Sequence, residues 1–267
     1  MSGVSRSAAA LLLAASVAGC AAQGGSGRLP PQVAERIDRV LASSPNQAQP
    51  SKIVATELAF ARLAREQGQW TAFRTFAAPD AVMHLESGLV SAADFLTGRA
   101  DPPAAVQWKP RGVWMSCDGS LAVSRGRFVD PDGKVGTFVT VWELQGDGRY
   151  RWIYDGGAPD DPQPDPALDE APLEDLITVE ALETVQGHIA DCPESGAPPL
   201  PPPPTAAYVE GAQVGTRSSA DATLQVGWLH GPAGERDVWI YRWTEEGWSL
   251  AMKQPLPGPL TKTAADR

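Results

Sequence analysis

SLAVSRGRFVDPDGKVGTFVTVWELQGDGRYRWIYD, residues Ser120–Asp155, decides the fold class of this chain. Apolar and polar residues alternate through Ser120–Val129, Val135–Leu144 and Tyr150–Asp155, and Asp132-Gly133 and Gly146-Asp147-Gly148 interrupt the pattern. A period of two, broken by short glycine turns, predicts consecutive antiparallel strands. Phe138, Thr140, Trp142 and Leu144 then share one face of their strand, and Thr137, Val139, Val141 and Glu143 the other. Arg125 and Arg127 fall on the face of Leu121 and Val123, placed either as an anion anchor in a pocket or on a solvated rim. Just upstream, Val106–Ser116 (VQWKPRGVWMS) adds one more strand, joined through Asp118-Gly119.

Before the strands the period is helical. Pro31–Leu41 reads as a short helix, and Ser51–Gln67 as a longer one capped by Ser51. Its apolar line is Val54, Leu58 and Ala61, beside Phe60, Leu63 and Ala64, and Gly68 suits its end. Gln69–Phe76 is a second helix, Ala81–Leu85 a short strand, and Ser91–Leu96 a short capped helix. Helices followed by a strand meander predict an α+β fold, with helices packed on a curved antiparallel sheet over residues 31–158 and a core at 51–158.

Residues 159–204 break this composition. They hold 12 of the 25 prolines and end in PPLPPPP, a polyproline II spacer. Within them, the element at 176–192 mixes β-branched residues with Leu, Ala and Glu; strand is the reading adopted over helix. Residues 205–256 are again β-rich, and 257–267 form a tail. DGSLAV at 118–123 is echoed by DATLQV at 221–226, either a decayed duplication or the common look of successive hairpins. Of the net charge of −10, the stretch Trp152–Thr216 supplies 13 Asp and Glu with no Lys or Arg. Nucleic acid is excluded as a partner, because phosphate binding needs a basic face.

The chain opens MSGVSRSAAALLLAASVAGC, a single Arg6 before an apolar run too short to span a bilayer. Val17-Ala18-Gly19-Cys20 resembles a bacterial lipobox, which implies a signal peptide at 1–19, lipid on Cys20 and a flexible tether at 20–30. Ala21 is not the Asp that retains such proteins at the inner membrane, so the expected place is the periplasmic face of the outer membrane. An ordinary secretory signal is the alternative, and it too gives an extracytoplasmic chain. Cys117 and Cys192 remain, and in an oxidising compartment they read as a disulfide rather than as two buried thiols.

Residues 51–159 resemble the nuclear transport factor 2-like superfamily, in its SnoaL-like branch. The resemblance lies in the order of ELAFARLAREQGQWTAFRTFAAPDAV, WKPRGVWMSCDGSLAVSRGRF and GTFVTVWELQGDGRYRWIYDGG. It implies a cone in which helices close one side of the sheet over an apolar pocket. Trp70, Phe73, Trp108, Trp114, Phe138, Trp142 and Tyr154 are its candidate lining, with Arg127 as a polar contact. Steroid-isomerase relatives carry a base carboxylate near Ala81–Glu86; here that position is Leu85, flanked by His84 and Glu86, while Asp155 stands on the last strand.

Motifs for nucleotides, serine hydrolysis or zinc proteolysis are missing, and His84, His188 and His230 are too scattered for a metal. The expectation is a cofactor-free, lipid-anchored envelope protein that binds a small apolar ligand or serves an envelope assembly. Its partners are the membrane, that ligand, and either a second copy or another envelope protein. The alternative is an isomerase- or dehydratase-type enzyme using His84, Glu86 or Asp155.

Overall fold

The computed structural model describes residues 48–164, 184–205 and 210–257. The leader, Cys20, the tether, the helix expected at 31–41, much of 176–192 and the tail beyond 257 lie outside the described residues.

Helix α1 spans Pro50–Gln67. Ser51 does not cap it; Pro50 takes the first turn, where a missing N–H costs nothing. Its buried face runs through Ile53, Glu57, Phe60, Ala61 and Ala64. Leu58, expected in the apolar line, is instead 50% exposed. The packed stripe is rotated from the expected one because a glutamate sits in it, and a search for apolar spacing passes over a glutamate. Gly68 ends the helix at φ 114°, donating its N–H to Ala64 O. Helix α2, Gln69–Phe76, follows directly.

Strand β1, Ala77–Leu85, begins before the predicted strand, and its pairing register shifts between Ala77 and Val82, the interval that holds Pro79. Strand β2, Gly88–Ser91, was not expected. Helix α3, Ala92–Leu96, is capped by Ser91, whose Oγ accepts from the Asp94 N–H. Then come β3 Gln107–Met115, β4 Leu121–Val129, β5 Val135–Leu144, β6 Tyr150–Pro159 and β7 Gln186–Ile189. The seven strands form one sheet in the order β2-β1-β6-β5-β4-β3-β7.

The sheet is mixed, which corrects the antiparallel expectation. The meander β3–β6 is antiparallel, but β1 pairs parallel to β6 and β7 parallel to β3. Both outer partners reach the meander through crossovers rather than hairpins, and crossovers are what parallel pairing requires. The Cys117–Cys192 disulfide, Cα–Cα 5.2 Å, staples the segment after β7 beside the end of β3. Ala190 N–H donates to Met115 O at the same place.

Strands β8 Gln213–Ser218, β9 Leu224–His230, β10 Arg236–Thr244 and β11 Gly247–Pro255 make a second, antiparallel sheet in the order β11-β10-β9-β8. The first sheet is covered on both faces. Helix α1 packs on one, through Glu57 to Trp108, Ser124 and Trp142. The second sheet covers the other: Trp228 stacks on Tyr154 at 4.6 Å, and Arg125 Nε donates to Gln254 Oε1. Double coverage explains why β4 and β5 are buried almost continuously although their sequences alternate.

The echo between the two β blocks is structural. Leu121 pairs with Glu143 as Leu224 pairs with Arg242. A register shift falls between Val141 and Trp142 in one meander and between Ile240 and Tyr241 in the other, at matching positions. Both first hairpins are built on Ser-x-Asp-(Gly/Ala)-(Ser/Thr)-Leu, 116–121 and 219–224. In each, the serine Oγ donates to the aspartate Oδ1 and accepts from the leucine N–H. A shared bulge and a shared hairpin network are more than generic alternation produces.

Candidate ligand-binding site

A cavity of about 310 Å³ lies under α1 and α2 against the helix-facing side of the first sheet. Its wall is largely aromatic: Phe60 from α1, Trp70 and Phe73 from α2, Trp108 from β3, Phe128 from β4 and Phe138 from β5. Phe60 makes edge contacts with Phe73 and Trp108 at 4.9 and 4.8 Å, so the wall is itself packed. The polar residues that line it are Gln69, His84, Glu86, Thr140, Asp155 and Arg236.

Asp155 is the carboxyl that faces this apolar space. Strand pairing sets it opposite Thr140 on the helix-facing side, and Thr140 Oγ1 donates to Oδ2 at 2.7 Å. No described residue donates to Oδ1. Loss of water raises the Asp155 carboxyl to about 6, and the Thr140 hydrogen bond opposes only part of that rise. A carboxyl in this state takes or gives a proton near neutral pH.

Glu57 stands behind the wall, 0% exposed. Trp108 Nε1 donates to Oε2 at 3.0 Å, Trp142 Nε1 to Oε1 at 3.1 Å, and Ser124 Oγ lies 2.5 Å from Oε1. Burial raises this carboxyl to about 7; Ser124 and Trp108 pull it back down, while the charge of Asp155 pushes it up. Ser124 Oγ also reaches Thr140 O, so a protonated Glu57 donates to Ser124 while Ser124 donates onward. Thr140 thereby touches both carboxyl systems, through its carbonyl and through its hydroxyl. Reading the sequence missed Glu57 because a helical glutamate looks solvated. The signal was present in Trp108, Trp142 and Ser124, which share one sheet face and whose buried donors need an acceptor.

The other candidate residues divide between the two faces of the sheet. Trp70, Phe73, Trp108, Phe138 and Asp155 meet at the cavity, and exposed Glu86 stands at its rim. His84 touches the cavity, but both ring nitrogens are engaged: Nδ1 is 2.7 Å from the Tyr154 hydroxyl and Nε2 is 3.2 Å from His230 Nδ1. Burial, then the charges of Arg236 and His230, lower its pKa to about 3. It is therefore held neutral and is a poor proton acceptor. Tyr154 faces the second sheet rather than the cavity. Trp142 is buried against Glu57, and Trp114 stacks on His188 of β7 at 5.3 Å. Arg127 pairs with Asp160 and donates to Thr137 Oγ1 in a separate groove. Residue alternation puts Arg127 there: it shares the face of Leu121 and Val123, which the second sheet covers.

Among the described residues no group of three or more His, Cys, Asp or Glu could hold a metal ion. No described helix is long and apolar enough to cross a membrane. No family model matches the chain, and no curated protein matches it in sequence. Among solved structures the chain is similar to an NTF2-like protein of unknown function from Exiguobacterium sp. 255-15, at 17% identity over 39% of this chain and 93% of that one, with a TM-score of 0.24. At that TM-score the likeness carries no argument, and the site rests on its own geometry.

Proposed function

We propose that the protein binds a small, mostly apolar molecule in the aromatic cavity, with Asp155 meeting that molecule's polar group. One observation carries this reading: Asp155 lines a space walled by phenyl and indole rings and keeps a carboxyl oxygen to which no described residue donates. Burying a carboxyl among aromatics is costly, and a ligand that hydrogen-bonds to it offsets the cost. A meander with helices over one face and an apolar pocket between them also supports placing the chain among NTF2-like cones. Titrating octanol into the protein, read by Trp emission from the cavity's Trp70 and Trp108, should saturate at one equivalent below millimolar. A linear, unsaturable response would remove the reading.

The same reading sets the protein outside the cytoplasm, anchored by lipid on Cys20. The Cys117–Cys192 disulfide supports an oxidising compartment. Intact mass of membrane-extracted protein should show an acylated chain beginning at Cys20; an unmodified chain retaining residues 1–19 would contradict it.

A second reading makes Asp155 a general base in cofactor-free proton transfer, favoured by its carboxyl standing near 6 in an apolar site. It predicts that the protein speeds exchange of the α-protons of cyclohexanone with heavy water, and that Asp155→Asn abolishes this without abolishing octanol binding.

A further inference from the structure

Arg236, the first residue of β10, comes from the second sheet and lines the cavity. It is 4% exposed. Its Nη1 donates to His84 O and Gly157 O at 3.4 and 3.3 Å, and its Nη2 to Pro257 O at 2.9 Å. Nε has no partner. No described carboxylate lies within ion-pair distance of this guanidinium; Glu86 is the acid whose charge it feels. A buried cation satisfied only by carbonyls, with a donor left over, is an expensive arrangement for a purely structural clamp.

We propose that Arg236 is the anion anchor of the cavity, so that the ligand is a small monocarboxylate with an apolar body. This rests on the reading of the cavity as a ligand site and adds the charge of the ligand to it. A guanidinium has five N–H groups, and three serve the carbonyls. Of the two left over, the one on Nε is closed to solvent, so the guanidinium's charge, met by no described carboxylate, is what draws an anion to the cavity that Arg236 lines. The aromatic wall receives the hydrocarbon body. Asp155 does not oppose the anion, because its raised carboxyl accepts a proton when a second negative charge enters. Glu57 behind the wall responds in the same direction, neutral His84 adds no charge, and Glu86 at the rim keeps access to solvent.

The test compares octanoate, octanol and octylamine, one hydrocarbon body with three head charges, by calorimetric titration of the full chain at neutral pH. Octanoate should bind at least about tenfold tighter than octanol, and Arg236→Gln should abolish that preference while octanol still binds. The wild-type comparison needs no variant, so it stands even where Arg236→Gln fails to fold. Octanol equal to octanoate would make Arg236 a clamp between the sheets and overturn the proposal, leaving the cavity reading intact. A preference for octylamine would hand the ligand's charge to Asp155 and overturn it likewise. Binding of none of the three would instead overturn the cavity reading on which it rests.

Discussion

Asp118 and Asp221 each accept the other's backbone N–H, at Oδ2 in both cases and at 2.8 and 3.1 Å. The two matching hairpins therefore close on each other through the aspartate they share. Ser120 Oγ accepts from Ala220 N, and Thr223 Oγ1 from Cys117 N, which extends the exchange on both sides. This joint lies beside the disulfide and fixes the second sheet on the first, and that docking is what brings Arg236 to the cavity.

The joint contains an asymmetry that stability measurements can read. Gly119 has φ 72°, and its counterpart Ala222 is held at φ 57°, where an L side chain is strained. Ala222→Gly should stabilise the protein by about 1 kcal/mol, and Gly119→Ala should cost a similar amount. Urea midpoints check both; a destabilising Ala222→Gly would mean the hairpins are not equivalent.

Glu57 gives a stability slope of known sign. Its folded carboxyl holds a proton up to about 7 against 4.5 for the ordinary group, so its contribution is full below about pH 4.5 and is lost as pH rises through 7. Glu57→Gln does not titrate. The wild-type advantage over it should shrink by about 3 kcal/mol between pH 4.5 and 8. His84 acts oppositely, losing stability as pH falls from 6.5 toward 3, but is common to both proteins and cancels. An advantage that grows with pH would contradict the buried-carboxyl account.

Asp155 can be watched directly. The side-chain carbon resonance of its carboxyl should titrate near pH 6 in the free protein and higher with octanoate bound. A midpoint near 4 would mean that water reaches the carboxyl freely.

The disulfide closes 75 residues. Replacing Cys117 and Cys192 together by serine should cost up to about 4 kcal/mol in chemical denaturation. It should also free the β7 edge to exchange its amide protons faster than β4 and β5 do. Unchanged stability would make the bridge incidental.

What the sequence made legible was the local chemistry. The β3–β6 meander follows from alternation and from glycines at Gly119, Gly133 and Gly148, which adopt the positive φ that tight turns demand. Ser91 capped its helix for the same local reason. The long-range choices were not legible. Nothing local tells β1 and β7 to pair in parallel at the meander's two sides. Glu57 and Arg236, charged residues on elements that looked half-solvated, are buried by partners far along the chain. Asp155 was legible only as a carboxylate on the last strand beside Tyr154, and its place opposite Thr140 comes from the pairing of β5 with β6; Arg127 and Tyr154 looked equally eligible until the second sheet covered their side.

The cavity claim is tested most directly with methyl-labelled methionine. Of the four methionines, Met83 lines the cavity, while Met115 and Met252 are buried elsewhere. Octanoate added to the full chain should shift the Met83 methyl resonance saturably and leave those of Met115 and Met252 in place. Equal movement of all three, or no movement at Met83, would contradict binding in this cavity.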